Sequence, residues 1–274
     1  MTSVDVTFFF GALVLYVVGT VAYLLLLSVK GTRLSRLATA ATTGGFILHT
    51  LALLVRLVAA GRLPPRNTYE ALSVFAWATV LVYLGLEFRF QRKVMGAFIL
   101  PIVLLTTTAA ASLPKGPAGL NPALTSTWVW MHVTLILLGN AALALTCGVG
   151  LMYLLQERQL KSKSLGAISH RLPSLDFLDG LSHRTLLVGF PLLTAGLITG
   201  ALQAQAAWGR FLTWDPTQAL SLITWVMYAG LLQARLTAGW RGRKAALLAI
   251  VGFGSLLVAF VGVSVLLGHP HAGN

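Results

Sequence analysis

Acidic residues are scarce in this chain: 7 Asp and Glu stand against 20 Lys and Arg among 274 residues. Charged residues of both signs make up 10%, where a soluble domain carries about 25%. So little polar surface cannot cover a globule of this size in water, which excludes an ordinary soluble enzyme or binding domain. Cysteine is nearly absent as well. Cys147 stands alone in an apolar run. There is no disulfide pair and no CxxC, so thiol exchange is not the chain's own chemistry. The opening residues MTSVD carry no basic cluster. No cleavage-site pattern follows the first apolar run, so a cleaved signal peptide is not expected. No internal repeat of about 20–50 residues stands out.

What the chain has is apolar length. Hydrophobic residues make up 57%. Apolar stretches of roughly 20 residues, the length a helix needs to cross a bilayer core, recur along it. Eight can be drawn, at about 8–29, 38–59, 70–88, 95–112, 127–156, 186–206, 218–234 and 246–267. This predicts an all-α polytopic membrane protein with about eight transmembrane helices, a single integral membrane domain over 1–274.

The net charge of +13 is better explained by loops facing the cytoplasm than by nucleic-acid binding, because Lys and Arg collect on that side of membrane proteins. Fifteen of the 20 basic residues fall in alternate loops: Lys30 to Arg36, Arg89 to Lys93, Arg158 to Arg184 and Arg235 to Lys244. The other loops hold Arg62, Arg66, Lys115 and Arg210, and Arg56 lies inside the second segment. The bias predicts that both termini are extracytoplasmic. The loop 157–185 then lies inside, and the loop 207–218 outside. His170 and His183 fall in the inner loop among basic residues and read as ordinary solvated side chains.

The remaining histidines collect elsewhere. His132 starts the fifth segment at its outer edge, and His269 and His271 follow the eighth. His49 lies about halfway through the second segment, roughly 15 Å from its outer end at a rise of about 1.5 Å per residue. The same outer side holds Trp128, Trp130, Trp208 and Trp214. Trp128 and His132 are four apart and share a helix face. Any one tryptophan at an interface reads as a belt anchor. The loop 207–218, AWGRFLTWDPTQ, instead packs Trp208 and Trp214 close together with Asp215-Pro216. Proline disfavours helix at Asp215, suits the first turn of the next helix, and leaves Asp215 as a candidate cap. A stiff aromatic shelf beside two histidines fits haem: imidazoles on the iron, tryptophan rings on the macrocycle, Arg210 on a propionate. Zinc is the competing reading, but the cysteines and carboxylates that usually complete such a site are absent. His49 and Arg56, seven apart on roughly one face, form a second candidate pair for iron and propionate. The plainer alternative is a neutral histidine hydrogen-bonded to a neighbouring helix. Asn67 and Glu70 are expected to fix the loop before the third segment, with Glu70 near Arg62 or Arg66.

WGRFLTWDP (208–216), LITWVMYAGLLQARLTAGWRGRKAALLAIVGF (222–253) and GVSVLLGHPH (262–271) resemble the CcsA/ResC/CcmC family of cytochrome c assembly proteins. So do HTLALLVRLVAAGRLPPRNTYEALSVFAW (49–77), WMHV (130–133) and RLPSLDFLD (171–179). The resemblance covers most of the chain in order. It implies a haem-handling protein of a bacterial-type cytoplasmic membrane, with a tryptophan-rich "WWD" loop outside. Histidines before and after that loop ligate the exported haem in the family. They match His132 and His271, with His269 and His49 as alternatives. The resemblance further implies a non-covalent b-type haem, a ResB/CcsB-like membrane partner, an apocytochrome c, surrounding lipid and no nucleic acid. Three positions depart from the pattern: Leu212 replaces the middle tryptophan, Gln218 a glutamate, and Gln233 a histidine of the next helix. Glutamine is a poor iron ligand. Three functions are compatible with these residues. One is a component of a cytochrome c haem lyase. Another is a HemX-like non-catalytic haem binder or a haem-bearing subunit of a membrane complex. The third is a transporter of another substrate, against which the lack of inverted repeats and matched broken helices counts.

Overall fold

The computed structural model describes residues 3–61, 65, 67–115, 127–162, 170–212 and 216–258. Helices dominate: α1 (Ser3–Leu25), α2 (Thr32–Ala60), α3 (Thr68–Phe90), α4 (Gly96–Ser112), α5 (Thr127–Lys161), α6 (Leu175–Trp208), α7 (Pro216–Thr237) and α8 (Arg243–Leu257). One 3₁₀ turn, Lys93–Met95, leads into α4. No strand occurs among the described residues. Seven helices among these residues are long and apolar enough to cross a membrane, and α8 is described over 15 residues. The all-α membrane architecture expected from composition is the one observed. Hydrocarbon offers no partner for backbone amides, so a helix, which satisfies its own, is the element such sequences form.

Helix ends fall where local chemistry changes. The Asn67 side chain accepts the Glu70 amide at 2.8 Å and opens α3, a standard use of asparagine at a helix start. Ser174 accepts the Phe177 amide at 3.4 Å and opens α6. Gly209, at φ 69, closes α6, where only glycine enters the left-handed region cheaply. Pro216 opens α7, the position where its missing amide proton costs nothing.

Among its described residues, the loop expected over 157–185 is largely helix. α5 continues to Lys161 and α6 starts at Leu175. Hydropathy marks where side chains turn polar, but a helix runs on through polar turns. Lys161 pairs with Glu157 one turn back at 2.7 Å, and Asp176 sits in the first turn of α6, where its charge suits the helix dipole. His183 is consequently a half-buried residue of α6 rather than a solvated loop residue, whereas His170 is exposed as expected.

α5 is the central helix. It packs on α3, α4, α6 and α8, and 78% of its apolar stretch is buried, against 17% for α7. Its seam with α6 is built from small residues, which let two backbones approach closely in a membrane. A Cβ added at Gly139 would stand 2.8 Å from the Leu193 nitrogen.

Polar clasps tie the helix ends. Asp5 at the start of α1 and Glu70 at the start of α3 both meet Arg56 near the end of α2. At the opposite ends, buried Glu87 of α3 accepts hydroxyl protons from Tyr23 and Thr39 at 2.5 Å each, and from Tyr83. Arg171 donates to the Leu26 carbonyl at 2.5 Å on this same end. Asp179 of α6 binds Arg235 of α7 and the Gly242 amide, each at 2.9 Å. The helices therefore run up and down. One end of the bundle carries Glu87, Arg171, Asp179 and Arg235. The other carries Asp5, Arg56, Glu70, the start of α5 and the end of α6.

Candidate functional site

His132 lies five residues into α5 and meets α6 near its far end. Its Nδ1 stands 2.6 Å from the carbonyl oxygen of Gly196. A carbonyl only accepts, so Nδ1 carries the ring proton in this contact. Nε2 then holds the lone pair, and it makes no hydrogen bond among the described residues. The ring lies over Gly200: a Cβ there would come within 2.5 Å of the ring Cε1 and 2.7 Å of Nδ1. The close seam thus does two things. It brings a backbone acceptor to one nitrogen of the imidazole, and it leaves the second nitrogen as an unused base between the start of α5 and the last turns of α6. That is the arrangement of a metal-ligating histidine, whose other nitrogen is normally tied down by an acceptor.

Beyond this ring α6 continues for two turns to Trp208, about 12 Å further at 1.5 Å per residue. Trp208 is 55% exposed and Phe211 54%. Large apolar side chains standing this far out at a helix end form a surface for a partner, a ligand or lipid. Arg210 and Leu212 are exposed beside them. Gln218, in the first turn of α7, reaches the Phe211 carbonyl at 3.5 Å and spans the loop. Trp130 is half-buried near the start of α5. The side chains of Trp128, Trp214, Asp215, His269 and His271 lie outside the described residues.

His49 has different surroundings. It is fully buried, with Nδ1 3.2 Å from the Tyr16 hydroxyl of α1 and Nε2 2.8 Å from Ser73 Oγ of α3. A neutral ring protonated on Nε2 satisfies both contacts. Both nitrogens are occupied, so iron could bind only by breaking one of these bonds. The contacts are those of a histidine hydrogen-bonded to neighbouring helices.

Arg56 is likewise committed. Nε binds Glu70 at 2.7 Å, Nη1 binds Asp5 at 3.1 Å, and Nη2 donates to the Lys115 carbonyl at 3.0 Å. The Tyr69 ring lies 4.9 Å below the guanidinium. Glu70 forms an ion pair with Arg56 at 2.7 Å; Arg62 and Arg66, beside which it is expected, lie outside the described residues. A carboxylate starting α3 is drawn to the arginine ending α2, fourteen residues earlier, because both are buried and an unpaired buried charge is costly.

Sequence reasoning missed three partners: Asp5, the carbonyl of Gly196, and the glycine at 200. Asp5 is 51 residues from Arg56, beyond any local pairing rule. Glycines at 189, 196 and 200 in the sixth segment were a readable signal of close helix approach.

Residues 65–271 match the family pattern of cytochrome C assembly proteins. The cytochrome c biogenesis protein CcsA of Pyropia yezoensis is 34% identical, with 85% of each chain covered. CcsA of Prochlorococcus marinus strain MIT 9301 is 38% identical over 80% of this chain and 79% of the relative. Among solved structures, the cytochrome c haem lyase CcmF superposes with a TM-score of 0.69 at 16% identity, over 95% of this chain. The chain spans 47% of that larger protein, and at this identity the likeness concerns the fold. The family match over residues 65–271 and the identity to these relatives over most of both chains show the family: this chain belongs to the cytochrome c assembly protein family and, within it, to the CcsA group.

Proposed function

We propose that this protein handles haem for the maturation of c-type cytochromes in a bacterial-type cytoplasmic membrane. Haem is held at the extracytoplasmic ends of α5 and α6 and presented to an apocytochrome c. The observation that carries the reading is His132, with Nδ1 on the Gly196 carbonyl and Nε2 without a hydrogen bond. Membership of the CcsA group supports the pathway.

In this reading His132, through Nε2, and His271 would hold the haem iron, with His269 the alternative. His49 could serve only if it gave up Tyr16 or Ser73. Trp208 and Trp214 would stack on the macrocycle, and Trp128 and Trp130 would border it. Arg210 would pair with a propionate, and Asp215 would be the candidate cap of the next helix. The haem is b-type and non-covalent while it is held here. The residues of the chain bind, orient and shield it; reduced thiols come from the apocytochrome, and reductant from a ResB/CcsB-like membrane partner. Lipid surrounds the bundle, and nucleic acid has no part.

A second reading is favoured by the departures at Leu212 and Gln233, both exposed side chains. It is a HemX-like haem-binding or regulatory protein without lyase function, or a haem-bearing subunit of a membrane complex. The test is cytochrome c maturation in a strain lacking its own assembly protein, scored by covalent haem on a reporter cytochrome. The proposed role expects maturation with the native chain and its loss in His132→Ala. No maturation by the native chain, but a gain on Leu212→Trp with Gln233→His, would mark a degenerate lyase. No maturation in any variant would favour the HemX-like role.

A further inference from the structure

The haem reading leaves open what fixes the plane and proton of His132. Three residues of α6 do so from one helix face, since positions 196, 199 and 200 are neighbours at helical spacing. The Gly196 carbonyl accepts the Nδ1 proton. The Thr199 hydroxyl lies 2.9 Å from that same carbonyl oxygen and 2.9 Å from the Ala195 carbonyl, sharing one proton between them. Gly200 leaves the space the ring fills. We propose that Thr199 and Gly200 are positioning residues for His132, acting through its contact with the Gly196 carbonyl. The proposal rests on the reading of His132 as the iron ligand.

The chemistry follows from competition for one oxygen. A carbonyl that accepts from both a hydroxyl and an imidazole pulls less on each proton than one that accepts from the imidazole alone. The strength of that pull sets how electron-rich Nε2 is, and partners of this kind tune a metal through its ligand. Thr199→Val keeps the shape and removes the competing donor. The carbonyl then draws harder on the Nδ1 proton, and the imidazole donates more to iron. Ferric haem is favoured, and the midpoint potential falls. Thr199→Ser keeps the donor and the potential. Gly200 acts by shape. Gly200→Ala puts a methyl group where the ring lies, so the imidazole must turn away from the Gly196 carbonyl. Alanine also favours helix over glycine, so α6 itself is not weakened.

Two measurements test this. The first needs no haem: nitrogen NMR of [15N]histidine-labelled protein in detergent, with the His132 signal assigned from His132→Gln. The expected result is protonation at Nδ1 in the native chain, lost or mixed in Gly200→Ala. The second is the midpoint potential of the haem-loaded native protein, Thr199→Val and Thr199→Ser. The expected result is a lower potential for valine alone, with unchanged thermal unfolding in all three. Protonation at Nε2 in the native chain, or a valine potential equal to the native one, overturns the proposal. Haem that binds equally well without His132 overturns the ligand reading instead, and the NMR result still decides whether these residues set the ring.

Discussion

Arg56 shows how much one residue can hold in this bundle. Its guanidinium joins α1, α2, α3 and the chain just past α4, through Asp5, Glu70 and the Lys115 carbonyl. The three charged side chains are each less than a tenth exposed. Arg56→Ala would remove the cation that two buried carboxylates share, at a cost of about 3–5 kcal/mol. Thermal unfolding in detergent should show this as a marked fall in midpoint, and Arg56→Lys should recover only part because it cannot fork between two carboxylates. His49 carries a different expectation. His49→Leu loses two buried hydrogen bonds and leaves Tyr16 and Ser73 unsatisfied, costing about 1–3 kcal/mol, yet haem content should stay at the native level. A variant that folds but loses its haem would make His49 a ligand. At this scale the sequence was legible where a side chain carries its own signal. His132 stood out as a histidine at the edge of an apolar run. The Gly196 carbonyl could not, because a backbone acceptor has no letter in the sequence, and Asp5 could not, because only the folded chain brings it to Arg56.

At the scale of the helix, two contacts decide how elements meet. Gly139 lets α5 lie against the backbone of α6. Gly139→Leu should force the two helices apart, lower stability by more than the same change at Gly85, where a Cβ meets nothing within 4 Å, and loosen His132 with them. The readouts are unfolding temperature and haem content side by side. Asp179 is the other contact. It holds Arg235 and the Gly242 amide and so fixes the turn between α7 and α8. Asp179→Ala should expose that turn to proteases added from the side it faces, with little change elsewhere. Hydropathy made most of the eight segments legible, because bilayer thickness dictates their length. It set their ends poorly, since polar turns such as Glu157–Lys161 remain helical on pairing and capping alone. That is why the stretch 157–185 reads as loop and folds largely as helix.

For the whole molecule, the bundle has polar clasps at both ends and a seam of glycines at its centre. Charge alone orients it: the end with Arg171, Arg235 and their neighbours is expected to face the cytoplasm. Cys147 is buried, so single cysteines introduced elsewhere can be labelled against a quiet background. Arg210→Cys should react with a membrane-impermeant maleimide in intact cells, and Lys161→Cys only after the membrane is opened. The reverse pattern would put His132 and Trp208 on the cytoplasmic side and remove the geometric basis for haem delivery outside. The fold also explains why α7 is so little buried. A helix that packs mainly on α6 and α8 keeps a broad apolar face for lipid or for another membrane chain.

The central claim is that His132 presents Nε2 to haem iron. Its most direct measurement is the absorption spectrum of the protein purified in mild detergent, oxidised and then reduced with dithionite, with haem counted by pyridine haemochrome. The account expects a six-coordinate b-type spectrum near one haem per chain, lost in His132→Ala and kept in His49→Leu. A full haem complement in His132→Ala, with the native spectrum, would contradict it.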